Sequence, residues 1–133
     1  KINLLFNSID TNNLAEVNKS IIIGISEWLD YETVFHTSSN LKYNSNLKSE
    51  AKLIEIIKYF NCNSYISGQG GKNYQDESKF LKENINLYYS SYFNYSYSQL
   101  TDNFINKISI LDLLFNLGAK STKNYINNSF DLV

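Results

Sequence analysis

Residues 65–76 read Tyr-Ile-Ser-Gly-Gln-Gly-Gly-Lys-Asn-Tyr-Gln-Asp, and three of the chain's five glycines, Gly68, Gly70 and Gly71, fall within four positions. Glycine frees a backbone for left-handed turns and lets another group approach the main chain closely. Consecutive N–H groups in such a turn form a concave nest for an anion, and Lys72 would add positive charge. Ser67 contributes a hydroxyl, Tyr74 a flat ring and Asp76 a carboxylate. Two phosphate templates fail. A Walker loop requires Ser or Thr after the lysine, where Asn73 stands, and a glycine where Ile66 stands; a dinucleotide fingerprint requires glycine at Asn73. Two readings stay open: a ligand-binding turn, or a tight strand-to-helix connection without a ligand.

Other residues could do acid–base or recognition chemistry. His36 is the single histidine, with a side chain whose ordinary pKa suits a general base, and it reads equally as a structural or surface residue. Asp112 is a second candidate base, although its place three residues after Ser109 also suits a helix cap. With one histidine and no cysteine pair, no zinc site is expected. Cys62 reads as a small buried hydrophobe. The run Tyr88–Gln99 carries aromatics on both parities, interleaved with hydroxyls and amides, including Tyr97 and Gln99. Flat rings with directional polar neighbours suit sugars or nucleobases, and core packing explains any single ring as well.

These residues need elements to hold them. Ile2–Asn7 reads as a short strand-like or irregular start. Asp10-Thr11-Asn12 offers caps for an amphipathic helix over about 12–30, with Leu14, Val17, Ile21, Ile25, Trp28 and Leu29 at helical spacing. Glu32–Thr37 reads as a strand, Ser38–Ser49 as a loop, and Ser49–Phe60 as a second helix stopped by Asn61 or Asn63. Ser64–Ser67 is a strand, and after the glycines Asp76 caps a third helix with Phe80 and Leu81 inward and Asn84 at its end. Ile85, Leu87, Tyr89, Phe93, Tyr95 and Tyr97 share one parity, the pattern of a half-buried strand or bent strand pair. Residues 64–89 thus form a βαβ unit. Ile108–Gly118 carries the strongest local pattern: Ser109 as N-cap, Ile108 and Leu113 as hydrophobic staple, Gly118 as stop, and apolar residues nearly all round between. The class is α/β, a small single domain (1–133) of two or three layers with a βαβ unit and a buried C-terminal helix.

Length and composition agree. At 133 residues, with 43% apolar and 15% aromatic residues, the chain can bury a core. Abundant Asn, Lys, Ile and Tyr reflect AT-rich codon usage, so the N-x-S matches at Asn18, Asn94 and Asn127 carry little weight. A lone cysteine fits a reducing cytoplasm, and no apolar run reaches the ~20 residues of a membrane span. A net charge of −1 without a basic cluster argues against electrostatic recognition of nucleic acid, leaving a tRNA donor open. The chain begins at Lys1 and lacks methionine and proline, so a portion of a longer protein is expected.

Several segments together resemble the WbqC-like family of bacterial proteins encoded among surface-polysaccharide genes. They are Ser38-Ser39-x-Leu41, Tyr65-Ile66-Ser67-Gly68 with Gly71 and Tyr74-x-Asp76, Phe93 with Tyr97-x-Gln99, and Ser109-Ile110-Leu111-Asp112-Leu113-Leu114-Phe115-Asn116-x-Gly118. The resemblance covers about residues 30–125 and is similar to the C-terminal half of that family, whose His-Gln-Pro opening motif has no counterpart here. Asn94, Tyr95 and Ser96 stand where the family usually has a basic or histidine residue and a proline. The resemblance implies a cytoplasmic transferase acting on a sugar precursor, with an aminoacyl or acyl group as the transferred unit. Ser67, Gly68, Gly70, Gly71 and Lys72 would line the donor site, Tyr74, Tyr97 and Gln99 would orient the acceptor, Asp76 would be a further ligand-binding residue, and His36 or Asp112 would serve as base. It names no cofactor, metal or oligomeric state. The alternatives are a non-catalytic nucleotide- or carbohydrate-binding module of a larger biosynthetic protein, and a scaffold that docks a partner through the C-terminal helix.

Overall fold

A computed structural model describes residues 1–44 and 46–133. Ser45, inside the expected loop, lies outside the described residues. The structure is mixed α/β: helices α1 (Ile2–Asn7), α2 (Leu14–Trp28), α3 (Ser49–Tyr59), α4 (Glu77–Leu81) and α5 (Ile110–Ser129), with strands β1 (Ser64–Gly68), β2 (Asn86–Tyr92) and β3 (Phe130–Leu132). The chain folds into two compact units, residues 1–37 with 97–126 and residues 38–96 with 127–133.

In the first unit, α2 starts where Asn13, rather than residues 10–12, caps it: its Oδ1 accepts from the N–H groups of Ala15 and Glu16 at 2.9 and 3.4 Å. Ile25 and Leu29 pack with Leu114, and Ile21, Trp28 and Ile110 close around them. Residues 2–7 are helical, contrary to the strand-like reading. Ile2 and Leu5, one turn apart, both reach this cluster, and six residues of short-range pattern cannot outweigh that packing. Residues 31–37 form no strand. Val34, Phe35 and His36 are all exposed, and without a neighbouring strand β-propensity alone does not make one. Ser109 caps α5 as its sequence suggests, its Oγ accepting from Leu111 N–H at 3.2 Å. Gly118 adopts φ 71°, ψ 169° and breaks α5 in two. Ile110 and Ile126, which a straight helix would hold roughly 24 Å apart, therefore both pack on the same cluster. Leu113 and Leu114 are buried, whereas Phe115 is 72% exposed.

The second unit is the βαβ segment plus a returning strand. β1 and β2 are parallel, with Ser64 opposite Asn86 and Gly68 opposite Ser90. β3 adds antiparallel to β2, pairing Tyr92 with Phe130 and Ser90 with Leu132, so the order is β1-β2-β3. The expected continuation of β2 to Tyr97 is absent; regular structure stops at Tyr92 and residues 93–109 are irregular. Ile57, Phe80, Ile85, Leu87 and Tyr89 form the core, and Tyr65 stacks on Phe80 with ring centres 5.9 Å apart. Leu81, expected inward, is 55% exposed, because a five-residue helix has one narrow inner face and Phe80 fills it.

The ends of α2, α3 and α4 follow one rule. Asp30, Asn61 and Asn84 take left-handed φ of 58°, 53° and 58°. Each closes a Schellman motif: Tyr31 N–H to Ser26 O and Asp30 N–H to Glu27 O, Cys62 N–H to Ile57 O and Asn61 N–H to Lys58 O, Ile85 N–H to Phe80 O and Asn84 N–H to Leu81 O.

One buried carboxylate joins two helix starts. Glu50, 7% exposed, accepts from the Ser49 hydroxyl, from Asp76 N–H at 3.3 Å and from Lys79 Nζ at 3.2 Å. These donors, led by Ser49, hold its pKa down at about 2. A carboxyl lowered on folding contributes stability above its unfolded value near 4.3 and loses it as pH falls toward 2. Urea midpoints measured from pH 7 to pH 2 should therefore decline below about pH 4.5 in the native chain. In Glu50→Gln the midpoint should be lower at neutral pH and this part of the acid decline missing.

Candidate functional site

Ser67 and Gly68 end β1 directly opposite Tyr89 and Ser90 of β2. In open α/β sheets ligands bind outside the carboxyl ends of parallel strands, which is where this segment lies. Beyond it, Gln69–Asn73 forms a 3₁₀ turn rather than an open loop. None of Gly68, Gly70 and Gly71 has positive φ, so the turn does not call on them for a left-handed backbone. Gly71 is required for space instead. A Cβ there would stand 2.4 Å from Ser67 Oγ and 2.5 Å from Gln75 Oε1, while Gly68 and Gly70 face open space. Gly71 O accepts from the N–H groups of Tyr74 and Gln75 at 3.1 and 2.9 Å, closing the turn onto α4.

Around this turn, Ser67 is buried, and its carbonyl accepts from Ser90 Oγ at 3.3 Å. Lys72 holds its ammonium 5.2 Å from the centre of the Tyr89 ring, a cation–π contact. Burial, and then the nearby Glu77 and Tyr74, push the Tyr89 hydroxyl pKa up. Tyr74 is 69% exposed, its ring open to a ligand. Asp76 acts as a cap: Oδ1 accepts from Ser78 N–H at 3.0 Å and Ser78 Oγ at 2.7 Å, and these bonds lower its pKa. Sequence reasoning missed Tyr89 and Gln75. Tyr89 shares the inward parity of Ile85 and Leu87 and so read as core; only the parallel register sets it beside Ser67. Gln75 Oε1 is buried against Gly71 without a hydrogen-bond partner among the described residues.

A groove of about 520 Å³ in the same unit is lined by Lys48, Lys58, Lys79 and Lys82. Lys79 pairs with Glu50 and Lys58 with Glu83, so its charge is largely balanced from within.

In the first unit three of the expected residues meet. Tyr97 Oη donates to Asp112 Oδ2 at 2.6 Å, and Gln99 Nε2 lies 3.0 Å from the same oxygen and 3.1 Å from Tyr97 Oη. Gln99 also pairs with the Ile105 backbone in both directions, donating from Nε2 to its carbonyl at 3.0 Å and accepting its N–H on Oε1 at 2.8 Å. Its amide thus closes the 99–105 loop and turns one hydrogen toward the Tyr97–Asp112 pair. Tyr97 is flanked edge-on by Phe104 and Tyr125, at 5.2 and 5.5 Å. Burial, and then the Asp112 carboxylate beside it, raise the Tyr97 pKa above its ordinary 10.0. The side chain of Asp112 does not make the capping contact with Ser109 that its spacing suggests. It serves the distant Tyr97 and Gln99 instead, because they bring donors to the first turn of α5. His36 is exposed, on the irregular 31–37 segment. Cys62 is exposed, not buried, with Sγ 3.6 Å from Phe60 O. Among the described residues no group of His, Cys, Asp and Glu is placed to hold a metal ion, and no helix is long and apolar enough to cross a membrane.

The model of the WbqC-like protein family matches residues 2–124. The chain belongs to that family. The match begins well before residue 30, so α1 and α2 belong to the WbqC-like region as much as the motifs that follow. An uncharacterized protein of Mycobacterium tuberculosis, Rv1507c, is 31% identical over 110 residues, 82% of this chain and 47% of the relative. The chain therefore spans less than half the length of that relative. No solved structure matches it. WbqC-like membership is consistent with a biosynthetic role.

Two stability series follow from this geometry. Gly71→Ala should cost about 1–3 kcal/mol, the usual penalty for overpacking, while Gly68→Ala and Gly70→Ala should be neutral or slightly stabilising, as urea denaturation will report. Asp112→Asn should lower the Tyr97 pKa by removing the adjacent negative charge, read by carbon-labelled tyrosine NMR. Asp112→Ala, which takes away the acceptor of the half-buried Tyr97 hydroxyl, should cost about 1–3 kcal/mol.

Proposed function

We propose that the chain is a glycan-modifying transferase, or a portion of one, moving an aminoacyl or acyl group to a sugar precursor in bacterial surface-polysaccharide synthesis. The observation that carries this reading is the placement of the glycine segment at the carboxyl ends of the parallel pair β1–β2 in a WbqC-like chain. Ser67, the main chain of Gly68, Gly70 and Gly71, and Lys72 hold the anionic part of a nucleotide-sugar or acyl donor. For this the Lys72 ammonium leaves the Tyr89 ring, a contact of about 0.5–1 kcal/mol at an exposed site that a phosphate outweighs. Tyr74 offers a stacking face to the acceptor.

Tyr97, Gln99 and Asp112 supply the polar recognition of the first unit. A carboxylate already receiving a phenol and an amide on Oδ2 keeps Oδ1 for a sugar hydroxyl, whose proton it can accept. His36 is the second candidate base.

The test is a titration of UDP- and dTDP-amino-sugars followed by amide chemical shifts. Shifts confined to residues 67–74 are expected; resonances undisturbed there across the series overturn the donor site. Binding with no turnover when glycyl or acyl donors are added would make the chain the non-catalytic nucleotide- or carbohydrate-binding module instead.

A further inference from the structure

The first unit also carries a groove of about 410 Å³ that the polar clusters do not use. Ile21 and Ile25 of α2, Ile110 and Ile126 from the two halves of α5, and Tyr31 and Phe35 of the following segment line it. Its volume falls in the range of small-molecule sites. The polar side chains on its wall are Ser26 and Tyr31. A ligand with several polar groups would leave most of them unpaired there, which disfavours binding. The occupant must therefore be hydrocarbon over most of its length.

One feature at the edge gives the occupant a charge. Lys123, one turn before Ile126, holds its ammonium 5.0 Å from the centre of the Tyr31 ring, beside the groove wall. The ammonium donates to the Asp30 carbonyl and lies 3.5 Å from the Asp30 carboxylate, a side chain 97% exposed. An ion pair so open to water contributes little, and a bound anion can displace it. Ile22 and Phe35, 57% and 40% exposed, leave the groove open to entry.

We propose that this groove binds the alkyl chain of an anionic amphiphile, a fatty carboxylate, with its head on Lys123. The proposal does not rest on the transferase reading. Hydrocarbon burial against the isoleucine wall drives binding, and the ammonium selects the sign of the head group.

Calorimetric titration of the chain with dodecanoate, below its micelle-forming concentration, should show one saturable site. Lys123→Gln should weaken it about tenfold, as expected for one charge-assisted contact. Ile22→Trp, a change at an exposed position that fills the groove, should abolish it while leaving the circular dichroism spectrum unchanged. Absence of saturable binding overturns the proposal, as does equal affinity for dodecyltrimethylammonium. A dimer in sedimentation that Ile22→Trp dissolves would place a second copy in the groove and overturn it equally.

Discussion

The βαβ unit depends on where one negative charge is held. Glu50 lies at the first turn of α3, yet the groups that satisfy its carboxylate come from its own neighbour Ser49 and from the start of α4. It thereby fixes the distance between two helices that the sequence separates by strand β1 and the glycine turn. Asp76, whose N–H it accepts, is itself the cap of α4. The turn that ends at Asp76 is consequently anchored at both ends, by the β1–β2 register on one side and by Glu50 on the other. A buried carboxylate without those donors would be strongly unfavourable, so the charge and the geometry specify each other.

Much of this frame was legible because local rules and tertiary packing agree. Asn61 and Asn84 end helices through the left-handed backbone that asparagine tolerates, and Asp76 and Ser109 start them with side-chain oxygens. The alternation of Ile85, Leu87 and Tyr89 gave the buried face of β2. Where the two levels compete, packing wins. Residues 2–7 become a helix to bring Ile2 and Leu5 into a cluster, residues 32–37 lose their strand for want of a partner, and a three-residue β3 carries too little pattern to be seen.

The candidate site was legible in its residues more than in its physics. The glycines marked the right place, at the carboxyl ends of two parallel strands, but for a steric reason at Gly71 rather than a conformational one. Asp112 was recognised as a residue with a task at the start of α5. Its partners, Tyr97 and Gln99, were recognised separately, and nothing in their spacing could reveal that one carboxylate oxygen joins them. Such contacts follow from the path of the irregular segment 93–109, where no periodicity operates.

The way the two compact units share the chain bears on how such a protein can change over generations. Each unit takes two separate stretches of sequence, and the chain passes from one to the other at residues 37–38, 96–97 and 126–127. No single recombination point can pass on one unit without part of the other, so neither can be shuffled between genes as an independent cassette. Variation has to enter residue by residue or inside the irregular segments, and a sequence related to this one should carry both units or neither.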